Sequence, residues 1–171
     1  MKTLYIVRHA KSSWDHQGLA DHERPILEKG IKRTELVSDY LVDNSYTVDL
    51  MISSHAVRAL QTASIIAKGL TYPEENIQIS KSIYHGNIDS VFDQLYELPD
   101  EIDSVMIFGH NPTFTSLANY FLPSKIDWLP TSAVVCIKFD TDKWEDFINA
   151  QKKVKFVITP RLLREKKSGS F

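Results

Sequence analysis

Three short polar clusters carry the chemistry this sequence could perform. They are Arg8-His9, Ser53-Ser54-His55-Ala56-Val57-Arg58 and Gly109-His110-Asn111-Pro112. Each follows directly on an apolar run: Leu4-Tyr5-Ile6-Val7, Leu50-Met51-Ile52, and Ser104 to Phe108. Two arginines and two histidines gathered in one place suit a phosphoryl group. Guanidinium forks bind its oxygens in pairs, and an imidazole can attack, donate or stabilise. Taken singly, each residue has a plainer reading: an arginine at a strand end is usually a surface group, and Gly109 and Pro112 can simply shape a turn. Their joint occurrence at strand exits favours a site, because open α/β sheets bind ligands beyond the carboxyl ends of their strands.

The elements that must position these residues follow from hydrophobic spacing. The runs ending at Val7, Ile52 and Phe108 are continuously apolar, as in parallel strands covered on both faces. Helical spacing predicts helices over Glu28–Val42, Ala56–Leu70, Ile88–Leu98 and Thr113–Phe121, with a short strand at Ile77–Ile79. Ala133–Phe139 and Val154–Ile158 read as late strands that add an antiparallel edge. Strands alternating with helices imply an α/β three-layer sandwich, a mostly parallel sheet with helices on both faces. No linker or repeat divides the chain, so one domain over 1–171 is expected, with 162–171 as a mobile basic tail.

Composition narrows the function classes. The chain has 171 residues, with Lys+Arg 20 against Asp+Glu 22 and a formal charge of −2. That balance argues against a nucleic-acid coat or a polybasic membrane anchor. Cys136 is the single cysteine, so no intramolecular disulfide or cysteine-rich zinc site can form. His9, His16 and His22 have no zinc-ligand spacing. No run approaches the ~18 apolar residues of a membrane span, and the apolar stretch before Arg8 is too short for a signal peptide. A cytoplasmic protein is expected.

The quoted clusters are parts of longer motifs. These are L-Y-I-V-R-H-A-K-S-S-W at 4–14, D-H-E-R-P-I-L-E-K-G at 21–30, S-S-H-A-V-R-A-L-Q-T-A at 53–63 and G-H-N-P at 109–112. In this order the sequence resembles the histidine phosphatase superfamily, whose signature is Arg-His-Gly after the first strand. Within it, the sequence is most similar to the short SixA group of phosphohistidine phosphatases. Ala10 stands where the superfamily has glycine, a change usual in that group.

The resemblance implies a phosphoglycerate mutase-like fold and a covalent phosphohistidine intermediate on His9. It implies that Arg8 and Arg58 clamp the phosphoryl oxygens, and that His110 completes the pocket. No metal or cofactor is needed. Arg24 could reach substrate or pair with Asp21 to hold its loop, and Ser12 could donate to phosphate or cap a helix. Asp15 is left outside the pocket, since a carboxylate repels phosphate.

Many relatives acting on phosphate monoesters carry a glutamate acid shortly after the third strand. Here the stretch is S-K-S-I-Y-H-G-N-I-D-S at 80–90, with no glutamate. His85 and Asp89 are the remaining proton-donor candidates. An alkoxide leaving group needs such help, worth about 10²–10⁴ in rate, whereas imidazole protonates near neutral pH. The expected substrate is therefore phosphohistidine in a protein, such as a histidine-containing phosphotransfer domain. A small-molecule phosphatase or mutase, or a non-catalytic phosphate-binding adaptor, are the rival readings. Nucleic acid and membrane are not expected partners; the oligomeric state is left open.

Overall fold

The computed structural model describes residues 1–15 and 17–169; His16, one of the histidines weighed above, lies outside them. A six-stranded sheet runs in the order β3-β2-β4-β1-β5-β6. Its strands are β1 (Lys2–Arg8), β2 (Leu50–Ser53), β3 (Gln78–Ile79), β4 (Ser104–Gly109), β5 (Val134–Phe139) and β6 (Lys152–Ile158). The first four are parallel neighbours, and β5 and β6 join in antiparallel pairing, as the sequence suggested.

Alternation along each strand divides the core between two faces. On one face Leu4, Ile6, Ile52 and Ile107 meet helix α4 (Ile88–Tyr96) through Phe92 and helix α5 (Thr113–Phe121) through Phe114 and Phe121. On the other, Tyr5, Val7, Met51 and Phe108 meet α1 (Glu28–Asp43) and α2 (Val57–Gly69) through Val37, Leu41 and Ile66. Burying both faces of continuous apolar strands is what the runs demanded. The short elements not foreseen are helix α3 (Lys81–His85) and 3-10 turns at Asp21–Glu23, Glu74–Asn76 and Trp144–Asp146.

One expectation is corrected. The basic segment expected as a mobile tail at 162–171 is largely helix α6 (Pro160–Gly169). Proline pre-sets the first helical φ, and the Thr159 hydroxyl accepts the Leu162 amide at 3.1 Å, which caps the turn. Leu163 is then buried in the cluster that contains Val37 and Leu41. Pro160 and Leu163, the buried residues of a charged stretch, dock it.

Candidate active site

Register brings the three polar clusters to one level. Arg8, the last residue of β1, pairs with Gly109, the last of β4, and Ser53 of β2 pairs with Phe108. The chain beyond these ends is then cross-tied. The Ala10 amide donates to the Thr62 hydroxyl at 2.8 Å, and the Ile26 amide donates to Gln61 Oε1 at 2.9 Å. Helix α2 thus holds both the turn bearing His9 and the loop bearing Arg24. Gly109 must lack a side chain, because a Cβ there would meet the Phe114 ring at 2.3 Å.

The result is a cleft of about 570 Å³ lined by Arg8, His9, Ser12, Arg24, Arg58 and His110, among others. Every main site residue expected from the sequence is in it. The weaker proton-donor candidates are not. His85 is exposed, its ring against Tyr84 and His55 at 4.7 and 5.6 Å, and Asp89 is exposed in the first turn of α4. Neither lines the cleft, because the short α3 carries His85 outward and Asn87, accepting the Ser90 amide, starts α4 beyond it.

His9 is buried, and its Nδ1 lies 2.7 Å from the Ala10 carbonyl oxygen. A carbonyl only accepts, so Nδ1 carries the proton and Nε2 holds a lone pair. Burial, against the help of that hydrogen bond, and then Arg58, Arg8 and Arg24 push the ring's pKa down to about 3. His110 stands beside it, ring centroids 5.1 Å apart, with Nε2 at 2.6 Å from the Ser54 hydroxyl. Burial, the His9 ring and Arg58 push it down to about 3 as well.

The arginines are fixed from behind. Arg8 Nη1 donates to the Leu129 carbonyl at 3.1 Å. Arg24 donates to the Ser12 hydroxyl at 2.8 Å and the Ser13 carbonyl at 3.1 Å, and lies 3.6 Å from the Trp14 ring centroid. Arg58 donates to the Asp21 carbonyl at 2.7 Å and to its carboxylate at 3.0 Å. Among the described residues, the buried side-chain polar atoms without a partner are Arg8 Nε, His55 Nδ1, Arg58 Nε and His110 Nδ1. Three of these four belong to residues lining the cleft. Buried donors are rarely left unpaired, so this cluster has the chemistry of an anion site.

The sequence offered Asp21 as a partner of Arg24 but did not disclose its contacts with Arg58 and Tyr84. Its carboxylate takes Arg24 and Arg58 together, and accepts the Tyr84 hydroxyl at 2.5 Å. Partial burial opposes ionisation, but the Tyr84 hydrogen bond and the two guanidinium groups hold the carboxyl well below its usual range. Arg24 therefore plays one of the parts weighed for it, holding the loop through Asp21, and it also lines the cleft. The Asp-x-x-Arg spacing was legible, whereas the Tyr84 partner, 63 residues further on, carried no signal.

The two most strongly depressed histidines, His9 and His110, make the fold less stable in acid. Below the ordinary value of 6.5 an unfolded chain protonates both rings while the folded protein leaves them neutral. Stability is thus fully present above 6.5 and is lost as pH falls toward 3. The limiting slope is about 1.4 kcal/mol per pH unit for each ring. Urea unfolding at pH 7 and pH 5 should show a lower midpoint at pH 5. A His110→Asn variant should show a shallower pH dependence.

Comparison with known proteins agrees with this geometry. Residues 4–83 match the model of the histidine phosphatase superfamily (branch 1). An uncharacterized protein of Mycobacterium tuberculosis is 31% identical over 112 residues, 66% of this chain and 67% of the relative. The chain belongs to the histidine phosphatase superfamily. The phosphohistidine phosphatase SixA of Escherichia coli is 23% identical over 139 residues, covering 80% of this chain and 85% of that protein. A SixA protein histidine phosphatase solved with tungstate shares the fold, with a TM-score of 0.80 at 21% identity over 94% of this chain and 99% of the other. The chain carries the Arg-His pair after β1 and shares the fold of the SixA phosphatases. No helix among the described residues is long and apolar enough to cross a membrane.

Proposed function

We propose that this chain is a histidine-nucleophile phosphatase that removes the phosphoryl group from phosphohistidine in a protein partner, such as a histidine-containing phosphotransfer domain, in cytoplasmic signal transduction. The substrate P–N bond breaks as His9 Nε2 bonds to phosphorus, in line with the leaving imidazole, which takes up a proton. Water then attacks phosphorus, the P–Nε2 bond breaks, and inorganic phosphate leaves. Arg8 and Arg58 hold the charge that spreads over the equatorial oxygens, and His110 donates from its unpartnered Nδ1 when the Ser54 hydroxyl donates to Nε2. Ser12 and Arg24 border the anion. Tungstate, the group bound in the SixA structure, is a tetrahedral oxyanion like phosphate, which agrees with this assignment.

One observation carries the choice of substrate. Asp21 is the single carboxyl group among the residues lining the cleft, and it is held ionised by two arginines and a tyrosine. It has no proton to give to a departing alkoxide. An imidazole leaving group needs none from the protein, because it is protonated from solvent near neutral pH. An adaptor that only bound phosphate would have no use for an unprotonated Nε2.

The test compares phosphohistidine with a panel of sugar phosphates at matched concentration, with vanadate as an oxyanion inhibitor. The expected kcat/KM ratio in favour of phosphohistidine is at least about 10², the lower bound of what a general acid supplies to esters. A preference for the sugar phosphates would overturn this substrate and favour the small-molecule phosphatase or mutase.

A further inference from the structure

Beside the catalytic cleft lies a shallow depression of about 480 Å³, lined by Lys29, Lys32, Arg33, Leu36 and Arg164. Residues 29, 32, 33 and 36 follow the three- and four-residue spacing of one helix face, here on α1. Arg164 comes from α6, which Leu163 anchors against the same layer. Arg33 lines the cleft as well, and so does Lys11, making the two features one continuous surface. Cleft and depression together carry eight cationic side chains and a single carboxylate, Asp21, on a chain whose formal charge is −2.

The cluster is unfavourable for the isolated chain. Lys29 stands in the first turn of α1, at the positive end of the helix dipole, where cations are disfavoured. Lys11 lies against it and lowers its pKa, with Arg33 adding to the effect. Among the described residues none of Lys11, Lys29, Lys32, Arg33 or Arg164 forms a salt bridge, whereas Arg161 on α6 pairs with Glu165. Unpaired like charges around a half-buried leucine lack an acidic, partly apolar counterpart.

We propose that this basic face docks an acidic surface of the phosphoprotein, with an apolar side chain of the partner over Leu36, while the phosphohistidine enters the cleft. The proposal rests on the phosphohistidine reading and adds to it what selects the partner. A small phosphate fits within the cleft alone and gives the depression no role, since cavities of ~300–1,000 Å³ already hold whole small ligands. A folded protein can cover both. Charges at such a rim act mainly by raising the association rate and suppressing wrong partners.

The test reverses three exposed charges outside the cleft, in the variant K29E/K32E/R164E. Two substrates are compared: free phosphohistidine, and an acidic histidine-containing phosphotransfer domain phosphorylated on its histidine. On the domain, kcat/KM should fall about tenfold or more at low salt, through KM, and the difference should shrink in about 0.5 M salt. On free phosphohistidine the variant should stay within about twofold of the wild type, which also shows that it is folded. Equal loss on both substrates, or no loss on the domain, would overturn the docking face while leaving the phosphohistidine reading intact. A wild-type enzyme inactive on free phosphohistidine but active on sugar phosphates would instead overturn that reading itself.

Discussion

Replacing His9 with alanine should remove turnover almost entirely, lowering kcat by about 10⁴-fold or more, as loss of a covalent nucleophile does elsewhere. The reason is local. His9 is the one imidazole at the cleft whose proton position is settled by a carbonyl, 2.7 Å from Nδ1, so its Nε2 is ready to bond phosphorus. With isotopically labelled phosphohistidine, rapid base quenching of the wild type should trap label on the protein, because phosphohistidine survives base. The His9→Ala protein should trap none. Residual activity near the wild-type rate would mean that another group attacks.

Arg58→Ala should cost about 10³–10⁵ in kcat/KM, the range found where an arginine serves a transferring phosphoryl group. Arg58→Lys should recover little. A point charge can replace neither the fork that grips Asp21 with two nitrogens nor the buried Nε that remains without a partner. Steady-state kinetics, with vanadate inhibition as a second readout, check this. Inhibition should weaken in parallel with catalysis, since both depend on the same oxyanion contacts. If vanadate bound the variant as tightly as the wild type, Arg58 would not contact the phosphoryl group. The variant would also strip Asp21 of one partner and raise its carboxyl pKa, so loss of activity should steepen as the pH falls.

Local sequence carried the alternation of strands and helices because the apolar runs are unambiguous. Thr113–Phe121 is the helix read from spacing, and the strands ending at Arg8, Ser53 and Gly109 lie within a residue or two of their expected limits. The helix at Pro160–Gly169 has no legible apolar face because its composition is charged and only Pro160 and Leu163 are buried. His85 and Asp89 are candidates by chemical type and by their place in the stretch where relatives carry an acid. The five-residue α3 turns His85 outward and Asn87 starts α4, with Asp89 in its first turn, beyond the cleft; spacing gives no measure of either.

The amino-acid order alone determined which side chains could handle phosphate: Arg8, His9, Arg58 and His110 are placed at strand exits by covalent neighbours. What it could not determine is which groups those side chains touch. The grip of Arg58 on Asp21 and the tyrosine that completes it join segments 37 and 63 residues apart, and the tautomer of His9 follows from a local turn that Thr62 of α2 ties down. Such contacts are set to fractions of an ångström by packing of the whole layer. Hydrogen bonds and proton affinities respond to that distance, and hydrophobic periodicity does not.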